Sequence, residues 1–266
     1  MQNPGTSPSG SSANWDKDVP APEAALAPSA PVQGGLLQPA PASKVRRIVD
    51  VTAASILAVV LSAPMLLIAL AVRLTSSGPV LYKQTRVGIN RRCAPDRRGA
   101  TGAPGASVDR RRADRRTIAS SGKLFRIYKF RTMYEDAEAR LGPTWASKND
   151  SRVTPLGKIL RQTRLDELPQ VFNVLRGDMS LIGPRPERPF FVEKFRRAIP
   201  GYMERLTVEP GITGLAQVEH RYDTNVEDVR LKLEYDVRYV RERSPVLDFK
   251  ILLKTVKVML SGSGAH

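Results

Sequence analysis

Residues 161–187 read RQTRLDELPQVFNVLRGDMSLIGPRPE and hold acids, bases and stiff backbone within a short length of chain. The charged groups near the start of this stretch are two adjacent carboxylates and two arginines upstream of them: Asp166, Glu167, Arg161 and Arg164. Near its end, Arg185 stands between Pro184 and Pro186, which restrict the backbone on both sides of it. The stretch therefore combines a carboxylate pair with several cations.

This combination suits phosphate chemistry with a divalent metal. A carboxylate can attack phosphorus, its neighbour can hold the metal or move a proton, and arginines can neutralise phosphate oxygens. Acidic side chains at a helix N-terminus also commonly cap the helix and interact favourably with its dipole. From these residues alone, Asp166 and Glu167 are either a helix cap or a catalytic pair.

The sequence next to the carboxylates predicts two helices. Thr154 and Pro155 are typical of the N-cap and first position of a helix over about residues 155–164. A second helix is expected over about residues 166–176, ending before Gly177. The carboxylate pair is therefore expected at the start of the second helix.

The rest of the chain predicts an α+β fold that is mainly helical. Apolar residues that alternate with Arg126, Lys129 and Arg131 predict a half-buried strand at 123–133. The other expected elements are an extended segment at 78–90, a helix at 134–141, an amphipathic helical region at 187–206 broken at 200–201, a turn-rich loop at 209–214, a charged helix at 225–243 and a basic amphipathic helix at 246–260.

Composition points to acidic partners. The formal net charge of +16 suits nucleic acid, anionic lipid or phosphorylated small molecules. The single cysteine, Cys93, excludes an internal disulfide and a multi-cysteine zinc site. With only two histidines, the expected metal is a hard ion held by oxygen, such as Mg²⁺.

Residues 48–74 predict a membrane element. No charged side chain occurs between Asp50 and Arg73, a stretch of roughly 33 Å as a straight helix, which is enough to cross a bilayer. Both flanks are basic, so the positive-inside rule places both ends on the cytoplasmic side, and Ser62 and Pro64 lie where a proline kinks a helix. A helix broken at Pro64 that enters and leaves the same face satisfies both observations, whereas a plain spanning helix with a tolerated proline is the alternative.

Two segments have compositions typical of disorder. Residues 1–43 are rich in Pro, Ala, Ser and Gly, and residues 91–122 form a basic insertion without periodicity, which either touches anionic lipid or is a solvated loop. Residues 246–260 suit either the membrane interface or packing against the core. The expected segments are a tail at 1–43, a membrane helix at 44–76, a domain at 77–260 that carries the insertion, and a tail at 261–266.

Four motifs, taken together, resemble one known family. They are YKFRTM at 128–133, LDELPQ at 165–170, GDMSLIGPRP at 177–186 and PGITG at 210–214. In this order they are similar to the bacterial sugar transferases, the monotopic polyprenyl-phosphate phosphoglycosyl transferases. The resemblance covers about residues 44–260, and four motifs in the right order make it highly specific.

The resemblance implies a reaction and roles for residues. Family members move a sugar-1-phosphate, usually from a UDP-sugar, to undecaprenyl phosphate, which starts an exopolysaccharide, capsule, O-antigen or glycoprotein glycan. By motif, Asp166 is the expected nucleophile, which forms an aspartyl-phosphosugar and releases UMP. Glu167 is expected to assist in one of two ways. It either helps to hold a Mg²⁺ ion that bridges both carboxylates and the diphosphate, or it accepts a proton. The expected substrate contacts are Lys129, Arg131, Arg161, Arg164, Pro184, Arg185 and Pro186.

The resemblance also implies a location. The family's re-entrant helix breaks at a Ser/Pro pair, which Ser62 and Pro64 match with Ala63 between them. This favours re-entry and a monotopic protein on the cytoplasmic face of the bacterial inner membrane, against an anionic lipid surface. The tail and the basic insertion are additions to the compact family pattern and interrupt no motif. Larger members carry an N-terminal membrane domain, for which this sequence has no room. Oligomeric state stays open, with a homodimer as one option.

Three other functions compete with this interpretation. A nucleic-acid-binding protein would need interleaved aromatics or a DNA-reading helix, and because the sequence has neither, no nucleic acid partner is expected. A non-catalytic scaffold for glycan assembly would not need the intact Asp166–Glu167 pair. A transferase that adds a sugar without its phosphate would release UDP instead of UMP.

Overall fold

The computed structural model describes four parts of the chain: residues 44–90, 122–134, 150–219 and 226–260. These parts contain eight α-helices, two 3₁₀ helices and four strands in two small sheets. The predicted fold class, α+β and mainly helical, is confirmed. The predictions that lie outside the described residues concern the two tails, nearly all of the basic insertion, and the helix at 134–141 beyond its first residue.

The elements follow one another in this order. The helices are α1 (Lys44–Val60), α2 (Ser62–Thr75), α3 (Pro155–Gln162), α4 (Val171–Arg176), α5 (Pro189–Ala198), α6 (Leu215–Glu219), α7 (Val226–Glu242) and α8 (Pro245–Leu260). The strands are β1 (Leu81–Val87), β2 (Leu124–Phe130), β3 (Ser180–Ile182) and β4 (Gly211–Thr213), and the 3₁₀ helices are Leu165–Gln170 and Tyr202–Thr207.

Helices α1 and α2 form a bent pair. They meet at 59°, and the break falls at the predicted position. Pro64 lies in the first turn of α2 and has no N–H to donate to the preceding turn. Ser62 Oγ donates to the carbonyl of Val59 at 2.7 Å, as expected for the partner of a freed carbonyl. Among the described helices none is long and apolar enough to cross a membrane alone, whereas this pair meets the length and composition criteria together.

The N-terminal turns of α1 belong to the folded domain. Arg46 donates to the carbonyl of Ile182 in β3 at 2.8 Å. Arg47 donates to two carbonyls in the last turn of α4, at 2.6 and 2.8 Å. The carboxylate of Asp50 accepts the N–H of Leu181 at 3.1 Å. These side chains fix α1 to α4 and β3, which lie between the carboxylate pair and Arg185 in the chain.

Strands β1 and β2 form an antiparallel hairpin. Leu81 pairs with Phe130 at one end and Val87 with Leu124 at the other. In β2, Phe125, Ile127 and Phe130 are buried while Leu124 and Arg126 are exposed, which confirms the predicted half-buried strand. The extended segment predicted before the insertion is β1.

The loop predicted at 209–214 is only partly a loop. Its central residues form β4, which pairs in parallel with β3. The two backbones approach so closely that a Cβ on Gly211 would lie 2.1 Å from the nitrogen of Gly183. The glycines that suggested a turn therefore serve strand pairing instead, because only a residue without a side chain permits this approach.

The two helices predicted around the carboxylates are present, with one correction. Thr154 caps α3 by accepting the N–H of Gly157 at 2.9 Å, and Pro155 begins the helix. The second predicted helix is divided into the Leu165–Gln170 3₁₀ helix and α4, because Pro169 prevents a continuous α-helix there. It ends as predicted at Gly177, which has a φ of 82°.

The C-terminal helices differ in burial. Helix α7 buries Val229, Leu233 and Val237, as its apolar periodicity predicts. Helix α8 buries Ile251 and half-buries Leu247 and Val258, but it leaves six other large apolar side chains exposed. These exposed side chains are Val246, Phe249, Leu252, Leu253, Val256 and Met259. Packing against the core thus uses only a narrow part of α8.

Candidate active site

The carboxylate pair lies in the first turn of the Leu165–Gln170 3₁₀ helix. Both Asp166 and Glu167 are buried. The residue before this helix, Arg164, has a φ of 59°, which is uncommon for a side chain other than glycine. Backbone of this kind often occurs at functional sites. Here it turns the chain sharply from the end of α3 into the helix that carries the pair.

Glu167 accepts hydrogen bonds from two cations. Lys129 Nζ lies 2.7 Å from Oε1, and Arg185 reaches both carboxylate oxygens, with Nη1 3.1 Å from Oε2 and Nη2 closer to Oε1. Burial alone would raise the pKa of Glu167, but Arg185 and Lys129 outweigh it and hold the pKa well below its usual range. Glu167 is therefore ionised at neutral pH, and its carboxylate links Lys129 to Arg185.

Asp166 is held more loosely. Its Oδ2 lies 3.9 Å from Lys129 Nζ, beyond hydrogen-bond distance. Burial raises the pKa of the Asp166 carboxyl, while the positive charge of Lys129 opposes the rise. Asp166 thus combines burial with lone pairs that Lys129 does not occupy directly, as a reacting carboxylate requires.

Arg185 is the second cation of the site. Besides Glu167, its Nη1 contacts Oε1 of Gln217 in α6 at 3.2 Å. The charge of Glu167 raises the pKa of Arg185 above its ordinary value, so the guanidinium is always charged. Pro184 and Pro186 flank it as the sequence indicates. Gln217 was not predicted, because it lies in a short helix after the PGITG motif and only the fold brings it here.

The other predicted cations divide into two groups. Arg161 lies in the last turn of α3, and Arg164 directly precedes the 3₁₀ helix that carries the pair. The charge of Arg161 opposes the rise in the pKa of Asp166 that burial causes, and Arg164 adds to the larger effects of Arg185 and Lys129, which lower the pKa of Glu167. Arg131 is directed elsewhere, since its Nη2 donates to the carbonyl of Ser76 at 2.7 Å, just after α2. The strand ends at Phe130, so the alternation that grouped Arg131 with Lys129 does not continue. This position does not support Arg131 as a phosphate contact.

Asn173 is a supporting residue that the sequence reading missed. It is fully buried in α4. Its Oδ1 accepts the N–H of Tyr128 at 3.1 Å, and its Nδ2 donates to the carbonyl of Arg126 at 2.7 Å. These bonds fix α4 to β2 beside Lys129. The available signal was a polar side chain at a core position between Phe172 and Val174.

The donor set fits a magnesium ion shared with a substrate. Mg²⁺ prefers oxygen ligands and is commonly held by one or two carboxylates together with substrate phosphates. Asp166 and Glu167 provide such oxygens, although those of Glu167 already accept from Lys129 and Arg185. Within the described ranges no group of three or more acidic, histidine or cysteine side chains could hold a metal by itself.

Comparison with known proteins identifies the class that this fold and site define. The family model for the bacterial sugar transferases matches residues 41–94 and 112–262. The chain belongs to the bacterial sugar transferase family, as the four motifs predicted. Both matched ranges together include every motif and every residue of the candidate site.

Several relatives carry names that state a reaction. The chain is 42% identical to an Aeromonas hydrophila UDP-N-acetylgalactosamine-undecaprenyl-phosphate N-acetylgalactosaminephosphotransferase over 88% of its length and 48% of the relative's. It is 39% identical to a Caulobacter vibrioides UDP-glucose:undecaprenyl-phosphate glucose-1-phosphate transferase, over 83% of this chain and 72% of that one. A protein of the same name from Escherichia coli is 38% identical, over 79% of this chain and 39% of the relative. The chain therefore spans half or less of the Aeromonas and Escherichia relatives.

Proposed function

We propose that this chain transfers a sugar-1-phosphate from a UDP-sugar to undecaprenyl phosphate, with Asp166 as the nucleophile. The observation that carries the proposal is the unequal setting of the two adjacent carboxylates. Glu167 is neutralised by Lys129 and Arg185, whereas Asp166 is buried beside them at 3.9 Å from Lys129. A fixed acid that organises two cations next to a freer acid suits covalent phosphate transfer. The names of the relatives support the same reaction.

In the first step, a carboxylate oxygen of Asp166 bonds to the phosphorus that bears the sugar. The bond from that phosphorus to the bridging oxygen breaks, and UMP leaves with the electron pair. Lys129 and Arg185 neutralise the phosphate oxygens as charge moves to the leaving group. Asp166 and Glu167, together with the diphosphate, would hold a Mg²⁺ ion, which would supply further charge neutralisation.

In the second step, a phosphate oxygen of undecaprenyl phosphate attacks the same phosphorus. The bond to the Asp166 oxygen breaks and returns the electron pair to the carboxylate. Neither step needs a net proton, because each nucleophile and each leaving group is an anion. Glu167 serves as the anchor of the two cations. Its low pKa suits this role better than a role in proton transfer, because a carboxylate with a low pKa is a weak base.

The acceptor lipid requires a site at the membrane surface. We infer that α1 and α2 re-enter the cytoplasmic face of the bacterial inner membrane as a bent pair, and that α8 lies at the interface. The support is exposed apolar surface on these helices, which in α1 and α2 includes Ile56, Val59, Val60, Leu66, Leu67, Leu70 and Leu74. The product would be the first lipid-linked intermediate of a bacterial surface glycan.

The test is nucleotide release. Purified protein in lipid nanodiscs is incubated with undecaprenyl phosphate, Mg²⁺ and a panel of UDP-hexoses and UDP-N-acetylhexosamines. We expect UMP from at least one sugar nucleotide, and its loss in Asp166→Asn. UDP as the product would indicate transfer of the sugar without its phosphate. Unchanged UMP release by Asp166→Ala would show that Asp166 is not the nucleophile, and no nucleotide release from any donor would favour a scaffold.

A further inference from the structure

The segment between β3 and α5 carries Arg185 without regular secondary structure, and every carbonyl of residues 184–187 accepts a hydrogen bond. The donors are, in chain order, the N–H of Gly211 at 3.0 Å, Nη2 of Arg205 at 2.9 Å, Nη1 of Arg86 at 3.0 Å and the N–H of Val87 at 2.9 Å. Two of the four donors are guanidinium groups from distant parts of the chain. The path of this segment is therefore fixed from outside it.

Arg205 is itself held on all sides. Its Nε donates to Asp236 at 2.8 Å, its Nη1 to the hydroxyl of Tyr202 at 3.0 Å, and its Nη2 to the carbonyl of Arg185. The side chains of Arg205 and Asp236 are each only 2% exposed. A guanidinium is planar and rigid, so fixing two of its nitrogens also fixes the direction of the third. The carbonyl of Arg185 is thus anchored to α7.

Arg86 is held less tightly, one residue further along. Its Nη2 donates to Oε1 of Gln84, and its Nη1 lies 3.6 Å from Glu187, which also accepts from Lys232 of α7 at 3.0 Å. These charges hold the pKa of Glu187 at about 2, against the rise that its burial would cause. Glu187 stays ionised and keeps Arg86 beside the carbonyl of Pro186.

Such a network is a costly way to gain stability alone. Replacing a buried ion pair with well-packed apolar side chains is often neutral or stabilising, so the pair Arg205–Asp236 is weak evidence for stability. Its geometric effect is specific, because it holds the main chain from which the Arg185 side chain extends to Glu167. We propose that Arg205 and Arg86 are positioning residues that act through Arg185 and keep its guanidinium on the carboxylate pair.

A double-mutant cycle tests this proposal, with UMP release as the readout that rests on the proposed function. Arg205→Lys keeps the charge next to Asp236 but cannot also reach the carbonyl of Arg185 and Tyr202. We expect it to slow UMP release about tenfold in the parent background and less than about twofold when Arg185 is already alanine. Equal fold losses in both backgrounds would overturn the proposal, because a general loss of stability multiplies with the loss of Arg185.

A matched control comes from the same two elements. Arg241 of α7 contacts Glu204 of the Tyr202–Thr207 helix at 3.3 Å. Arg241→Lys therefore perturbs the same junction without altering a bond to Arg185, and we expect UMP release to stay within about twofold of the parent. If Arg205→Lys does not fold, Arg86→Gln is taken through the same cycle with the same expectation.

A structural readout separates this proposal from the proposed function. In a crystal or cryo-electron microscopy structure of Arg205→Lys, or of Arg86→Gln, we expect the Arg185 guanidinium to have left Glu167. An unchanged two-bond contact between Arg185 and Glu167 would overturn the positioning role whether or not the parent releases UMP. A parent that releases no UMP, together with a displaced Arg185, would overturn only the proposed function.

Discussion

Asp166 and Glu167 are neighbours in sequence, yet their carboxylates meet different surroundings. Glu167 lies between Lys129 and Arg185 and has a pKa well below its usual range. Asp166 is buried with a weaker electrostatic hold, and burial raises its pKa. Two carboxylates whose pKa values are moved apart by their environment commonly divide the work of a reaction between them. Under the proposed function, the division is between a charged anchor, Glu167, and a nucleophile, Asp166.

In the proposed mechanism Asp166 must be ionised to attack, so the rate of UMP release is expected to fall at acidic pH. Lys129 is the largest influence that lowers the pKa of Asp166. In Lys129→Gln this influence is lost, the pKa of Asp166 rises further, and a higher pH is needed to ionise the same fraction of enzyme. We therefore expect the acidic limb of the pH–rate profile to move to higher pH.

A matched lysine distinguishes this effect from a general change in charge. Lys123, just before the same strand, is 63% exposed and pairs with Asp178. Lys123→Gln removes the same charge, and its acidic limb should coincide with that of the parent. An acidic limb in Lys129→Gln that does not move, or moves to lower pH, would contradict the electrostatic account of Asp166.

At the scale of elements, the sequence predicted the strand and the helix ends that depend on neighbouring residues in the chain. Alternation located β2, Thr154 and Pro155 located the start of α3, and Gly177 located the end of α4. The parallel pairing of β3 and β4 could not be predicted, because it depends on a close approach between residues far apart in sequence.

The same limit applies to the candidate site. Asp166, Glu167, Lys129 and Arg185 stand in motifs, and their meeting was expected by resemblance. Arg205 and Asp236 lie in predicted helical regions where a charged residue is normally solvated, so the sequence gives no sign of their burial. Arg131 shows the opposite case, in which a motif residue makes its hydrogen bonds at the end of α2.

The cap of α3 can be tested directly. Thr154→Ala leaves the N–H of Gly157 without its partner, and the expected loss is about 1 kcal/mol of unfolding free energy. Thr163→Ala, at the other end of the helix, removes only an exposed hydroxyl that donates to the carbonyl of Ile159 and should cost less than about 0.5 kcal/mol. Denaturant unfolding in detergent gives both values. Equal losses would show that Thr154 does not act as a cap.

At the scale of the whole molecule, the bent helix pair and the site are mechanically connected. Arg47 holds the end of α4, which follows the carboxylate pair, and Asp50 holds β3, which leads to Arg185. The first turns of α1 therefore contact both the helix that follows the carboxylate pair and the strand that precedes Arg185. Such contacts suit the proposed function, in which the acceptor lipid and the bent helix pair share one membrane.

The re-entrant arrangement predicts where the ends of the pair lie. Single cysteines at Lys44 and Ser77, in a Cys93→Ser background, flank α1 and α2 at exposed positions. In sealed inverted membrane vesicles, both should react with a maleimide that cannot cross the bilayer, and neither should react in intact spheroplasts. Opposite accessibility of the two cysteines would show a spanning helix instead.

Peptide mass spectrometry detects a covalent phosphosugar on Asp166 directly. The protein is incubated with its UDP-sugar without undecaprenyl phosphate, quenched and digested with trypsin, which releases residues 165–176 as one peptide. We predict a stoichiometric burst of UMP and a gain of one sugar-phosphate on this peptide, located at Asp166, absent in Asp166→Asn and lost on adding undecaprenyl phosphate. UMP that forms only when the lipid is present, with no adduct on this peptide, would contradict the account.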